Sequence, residues 1–355
     1  MIAVLAVCGC KQTAAPPTTE EAEALAKDFA AKLGPCDTEA IYGIIDTDEV
    51  FARAWKTRHG AFEGVEFRGR FGGLDRLLCS RVPPGMSRSA TYLGTLDDGD
   101  APRPVVRVVS ELGLNYYMLE LDNQHGATRI SDIYIMSAGE NLSEIVGWSI
   151  DIERRGAVVA SELKDLDAQI AASRWPEAHS RLLALSPELR ALKSVKLREI
   201  TITGELGNDA YVRAVDDFAK AFPGDPAVVL QTIARALVRN DHGKALEYLA
   251  DLDKRVGGDP YLDVLRARAW QSAGKLEQAL AMARRATQRE PTLEAAWWQL
   301  LLQQAASERY ADAIPTIDVL RDRFGAKITP QALAADARFN GLGASREYAA
   351  WRERQ

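Results

Sequence analysis

Ala245, Ala279 and Ala313 succeed one another at intervals of 34 residues, and Pro223, Gly257, Pro291 and Gly325 keep the same interval. A fixed period of this length means that one supersecondary unit is used several times. Each copy is too small to bury its own hydrophobic face and must stack on its neighbours. The residue types say what the unit is. A small residue is needed where two helices cross closely. Proline stops a helix because it lacks an N–H, and glycine because it takes the left-handed conformation of a C-cap. Asp225-Pro226, Asp259-Pro260 and Thr329-Pro330 each supply an N-cap oxygen followed by proline at the first helical position. The second half of the chain is therefore expected to consist of antiparallel helix pairs.

The best-defined unit runs from Pro260 to Leu293, with Ala267, Trp270, Ala279, Ala283, Ala286 and Pro291 in the order small, aromatic, small, small, small, proline. The next, from Glu294, keeps Trp297, Leu300, Ala313, Ile317 and Leu320, with Gln304 where an aromatic is usual. The unit from Pro226 keeps Val229, Ala236, Ala245, Leu249 and Leu252. This pattern resembles the tetratricopeptide repeat. The resemblance implies an all-α superhelical solenoid over residues 153–355, with atypical capping helices at Tyr211–Phe222, before Pro187, and at Ser345–Arg354. It also implies that first-helix positions face a groove that receives protein partners. In this chain these are Ala227, Leu230, Ala234 and Leu237, then Tyr261, Val264, Arg268 and Gln271, then Ala295, Trp298 and Leu302. The lining is apolar, as an interface would be. Trp298 is expected either to anchor a partner there or to pack against the terminal helix near Tyr348 and Trp351.

At the other end, Met1 to Cys10 is apolar and gives way abruptly to Lys11-Gln12-Thr13. It is too short to span a bilayer. Val7-Cys8-Gly9-Cys10 resembles the lipobox that closes a bacterial lipoprotein signal, although Cys8 is unusual there and no basic segment precedes the run, as if translation began upstream. The resemblance implies acylation at Cys10 and a lipid anchor in the cell envelope, with Lys11 directing the protein to the outer membrane, facing the periplasm. Residues 11–19, rich in Pro, Thr and Ala, read as a tether. In such an oxidising compartment Cys36 and Cys79 would pair, whereas in cytosol they would be buried thiols.

Residues 20–152 have a different character. Helical patterns cover 20–33, 48–58 and 72–79, and strand patterns then cover 90–96, 104–111, 114–122 and 129–136, separated by Asp- and Gly-rich turns. Tyr117, Leu119 and Leu121 share one face of a strand. The expectation is an α+β domain, helices followed by an antiparallel meander backed by a helix. In element order alone it loosely resembles cystatin-like and nuclear-transport-factor-like curved-sheet folds.

A net charge of −6 with 44 basic and 50 acidic residues offers no footprint for a nucleic-acid backbone. The chain has no phosphate-binding loop, dinucleotide fingerprint, nucleophile elbow or zinc-ligand pair. Its four histidines, His59, His125, His179 and His242, lie far apart in sequence. Asp46, Asp48 and Glu49 read as the start of a helix with Asp48 as N-cap, and Asp97, Asp98 and Asp100 as a hairpin turn. Arg53, Arg58, Arg68 and Arg70, interleaved with Phe51, Trp55, Phe62, Phe67 and Phe71, form the one basic and aromatic stretch. No catalytic, cofactor-binding or metal site is expected. An envelope scaffold or adaptor that binds proteins through its repeats is the leading expectation, and a ligand-binding or weakly enzymatic N-terminal domain supported by the repeats is the alternative.

Overall fold

The computed structural model describes residues 15–59, 78, 88–97, 101–110, 113–124 and 127–354. Two compact units divide the chain, residues 1–202 and 203–355, so the boundary expected near 152 falls inside the first.

The first unit opens with α1 (Thr19–Leu33). Thr18 accepts a hydrogen bond from the Glu21 N–H while the Glu21 carboxylate accepts one from the Thr18 N–H, a reciprocal capping box. The tether expected over 11–19 is thus part of the fold from Ala15 onward: Pro17 is buried, and the Ala15 carbonyl accepts a bond from Asn123 Nδ2 at 2.9 Å. Next come α2 (Thr38–Tyr42), which hydrophobic periodicity is too short to reveal, and α3 (Thr47–His59). Asp46, and not Asp48, caps α3, because its Oδ1 accepts from the Glu49 N–H at 3.0 Å. Asp48 lies inside the first turn.

Five antiparallel strands follow in sequence order, β1 (Arg88–Asp97), β2 (Pro102–Ser110), β3 (Gly113–Gln124), β4 (Ala127–Ile135) and the two-residue β5 (Glu140–Asn141). Four of them were expected. β5 is too short to carry a period. Tyr117, Leu119 and Leu121 join Val106 and Val108 in a core completed by Ala22, Ala26, Phe29 and Leu33 of α1. The β3–β4 register slips between Glu120 and Leu121, so that Glu120 pairs with Asp132 and Leu121 with Ile130. This bulge lets Ile130 and Ile133, an odd number of residues apart, both reach the same core.

α4 (Leu142–Arg154) packs on α3 and β4 and contributes Leu142, Val146 and Ile150 to that core. α5 (Ala157–Ala171), α6 (Trp175–Ala184), α7 (Pro187–Arg190) and α8 (Lys193–Leu206) build a second core around Leu163, Leu166, Leu182, Leu189 and Ile202. Leu78 is buried in the sheet core, and the rest of the helix expected over 72–79 lies outside the described residues. So do Cys10, Cys79, His125 and the Arg68–Phe71 stretch. Cys36 is disulfide-bonded.

The second unit is helical: α9 (Asn208–Ala221), a 3-10 turn (Pro226–Val228) leading into α10 (Val229–Val238), α11 (His242–Arg255), α12 (Pro260–Ser272), α13 (Leu276–Arg289), α14 (Glu294–Ala306) and α15 (Tyr310–Phe324). From α9 each helix packs on the next, and α12 also touches α14. Ala245, Ala279 and Ala313 are each the fourth residue of α11, α13 and α15, and all three are fully buried. Asp225 and Asp259 cap as expected, and Gly325 ends α15 in the left-handed conformation, φ 68°. Beyond it α16 (Pro330–Ala334), a 3-10 turn (Ala337–Phe339), α17 (Asn340–Gly343) and α18 (Arg346–Arg352) fold over α14 and α15.

Candidate functional site

Eight of the eleven groove-facing residues expected from the repeat pattern fall into distinct environments. Arg268, Trp298 and Leu302 line a single open concavity of about 370 Å³ in the second unit. Arg268 and Leu302 are one repeat period apart, so equivalent points of α12 and α14 meet there. Gln271 sits beside this group, its Oε1 accepting from Gln303 Nε2 at 2.8 Å. Leu230 and Leu237 are half-buried on α10 and lie outside the concavity. Val264 has no exposed surface and Tyr261 only 8%, so burial withdraws both from any partner.

Trp298 is partly buried. Its ring packs against the C-terminal core that contains Ile328, Leu333 and Phe339, while part of the ring still faces the concavity. Its Nε1 donates to Glu294 Oε1 at 3.0 Å, one turn back on the same helix, which fixes the ring's orientation. Tyr348 and Trp351 stack on each other at 5.5 Å and serve α15 instead, Trp351 Nε1 donating to Asp318 at 2.8 Å. Neighbouring Trp297 donates to the Pro291 carbonyl at 2.9 Å and packs between helices.

The far wall comes from outside the repeats. Ile328, Leu333 and Phe339 supply its apolar part. Lys327 and Arg338 add cations to that of Arg268, and Asp336 is the one carboxylate in the lining. A reading confined to the 34-residue register cannot find these residues. They follow Gly325, beyond the last residue that keeps the 34-residue interval.

A neighbouring charge cluster belongs to packing. Asp263, fully buried, accepts from Arg266 at 2.7 Å, Arg285 at 2.9 Å and Arg289 at 3.0 Å. Burial pushes its carboxyl up, but the three guanidiniums outweigh burial and hold it below the usual carboxylate range. The cluster ties α12 to α13.

The first unit carries a second concavity, of about 440 Å³, lined by Arg53, Lys56, Asp132, Asn141, Ser143 and Glu144. Arg53 was the one residue of the basic and aromatic stretch placed here. It bonds Glu49 at 2.8 Å and Glu120 at 2.6 Å, and lies 3.5 Å from Asp122 and 3.8 Å from Asp132. Trp55, from the same stretch, has the Arg154 guanidinium 5.0 Å from its ring centroid. Asp132, only 1% exposed, accepts from the Ser143 N–H at 3.1 Å, from Ser143 Oγ at 2.5 Å and from the Ile133 N–H at 2.9 Å. It therefore caps α4 from the neighbouring strand. Burial raises its pKa, the bonds from Ser143 and Ile133 oppose that, the Glu120 charge adds to it, and the net displacement is upward. Asp132 lies beside the bulge, a feature of pairing that one strand's sequence does not disclose. Among the described residues no group of three His, Cys, Asp or Glu side chains is arranged to hold a metal ion, and no helix is long and apolar enough to cross a membrane.

Compared with known proteins, the chain matches no family model and no curated sequence.

Proposed function

We propose that this protein is a lipid-anchored lipoprotein of the bacterial cell envelope that works as a scaffold or adaptor, binding protein partners through a tetratricopeptide-type solenoid formed by its second unit. The observation that carries the reading is the meeting of Arg268, Trp298 and Leu302 in one concavity, because all three are groove-facing positions of the repeat. The helix boundaries and the buried alanines at 34-residue spacing support the repeat assignment. An aromatic side chain on a rigid helix, half-buried and beside a cation, is the kind of residue on which interface energy concentrates. Lipid attachment at Cys10 would bring this surface to the periplasmic side of the outer membrane. No chemistry is assigned to the protein in this reading.

The test is capture of partners from detergent-solubilised native membranes by the intact chain and by Trp298→Ala. The variant is expected to lose the captured protein while melting cooperatively. Its stability should fall by about 1–2 kcal/mol, less than the ~3–5 typical of a fully buried tryptophan. Undiminished capture by the variant contradicts the reading.

A second reading rests on Asp132. A buried carboxyl with a raised pKa, bonded to a serine at the edge of a concavity, is a usual sign of a ligand or proton-transfer site. In that reading the repeats support a ligand-binding first unit. Loss of function in Asp132→Asn with Trp298→Ala unaffected would favour it.

A further inference from the structure

The concavity beside Trp298 has a charge pattern that its apolar floor does not require. Arg268 comes from α12, Lys327 from the link after α15, and Arg338 from the 3-10 turn near the C-terminus, so three cations approach one apolar patch from three elements. The single carboxylate, Asp336, is occupied by Arg338, which bonds it through Nε at 2.9 Å and Nη2 at 2.5 Å. Arg268 is held differently. Its Nε donates to Oε1 of Gln299, a side chain 1% exposed, at 3.3 Å, and its two Nη groups make no hydrogen bond among the described residues. Lys327 is exposed and has no ion-pair or hydrogen-bond partner among the described residues. A volume of about 370 Å³ lies at the lower end of ligand-site sizes and accommodates a large side chain or two, not an extended cofactor.

We propose that this pocket takes an aromatic or aliphatic side chain of a partner segment whose flanking residues are acidic. The proposal rests on the scaffold reading and specifies the partner's chemistry. The apolar side chain fills the space between Trp298, Leu302 and Phe339, and the flanking carboxylates meet Arg268 on one side and Lys327 on the other. Cations placed on separate elements around the floor suit carboxylates spaced along a chain better than one compact anion. Charge complementarity of this kind sets partner choice and encounter rate more than raw affinity, and it weakens with salt.

The experiment uses the full chain and synthetic peptides capped at both ends, so that no terminal charge contributes. One series carries a central Phe or Leu flanked by Asp and Glu. A second replaces the acidic residues by Lys, and a third keeps them but replaces the central residue by Ser. The first series is expected to bind at least about tenfold tighter than either other, a difference of roughly 1.4 kcal/mol. Lys327→Glu and Arg268→Glu should each abolish most of that preference, and Lys327→Arg should keep it. Melting curves of the variants identify any that fail to fold, and Lys327, being exposed, gives the cleanest case. Equal binding of acidic and basic series overturns the proposal. So does binding of anionic lipid vesicles with no binding of acidic peptides, or self-association of the chain that Lys327→Glu abolishes. If peptides bind in a Trp298-dependent way without charge preference, this inference fails and the scaffold reading stands. If no peptide binding depends on Trp298, this inference fails, and capture of partners by Trp298→Ala decides the scaffold reading separately.

Discussion

Asp132 and Asp263 are both buried carboxylates, yet pH acts on them in opposite directions. Asp132 has a folded pKa above its unfolded value, so the folded state binds the proton more tightly. Its stabilising contribution is full below the ordinary carboxylate range and is lost as pH rises through the folded pKa. Denaturant melts of the wild type and of Asp132→Asn from about pH 3.5 upward test this, with the range set by the ordinary Asp value. The stability difference in favour of the wild type should shrink as pH rises and then level off. A difference that grows with pH would mean that the carboxylate, and not the acid, is the form the fold prefers. Asp263 behaves the other way: its pKa is depressed, so its contribution is present above the ordinary carboxylate range and is lost on acidification. Neither side chain was singled out by sequence reasoning. Each owes its environment to residues brought in from elsewhere, Asp132 to Ser143 on the next helix and Asp263 to Arg285 and Arg289 on the partner helix.

Elements were far more legible than side-chain environments, because helix period, caps and breakers are local. The four longer strands, α1, α3 and the helices around Ala245, Ala279 and Ala313 were all readable from apolar spacing and from Pro, Gly and Asp at their ends. What escaped was short or depended on a partner. α2 and β5 have too few residues to show a period, and the N-cap of α3 was placed two residues late because three acidic residues in four offered equivalent caps. The bulge at Glu120–Leu121 belongs to a strand pair and to neither strand alone. Pro315 sits inside α15 without ending it, carried by a helix whose Ala313, Ile317 and Leu320 are fully buried. The packing at the repeat alanines makes a direct prediction at this scale. Ala279→Leu and Ala313→Leu should each overpack a closed helix crossing and cost about 1–3 kcal/mol in chemical denaturation. Neutral results at both would mean that these alanines do not set the approach of neighbouring helices.

At the scale of the whole molecule, a sheet-bearing unit precedes a helical one, with a lipid anchor proposed on the first and a partner surface proposed on the second. The anchor is testable by itself: Cys10→Ser should shift the protein from the detergent to the aqueous phase in phase partitioning of native membranes. Retention in the detergent phase would remove the lipoprotein part of the account and leave the partner surface untouched. Site-specific photocrosslinking in the native cells probes the proposed partner surface. A photoreactive benzoylphenylalanine replaces Leu302, which lines the concavity, or Ala306, which is exposed one turn further along the same helix. One discrete crosslinked protein is expected from position 302 and is expected to be absent from position 306. No crosslink from position 302, or the same set of products from both positions, would contradict that surface.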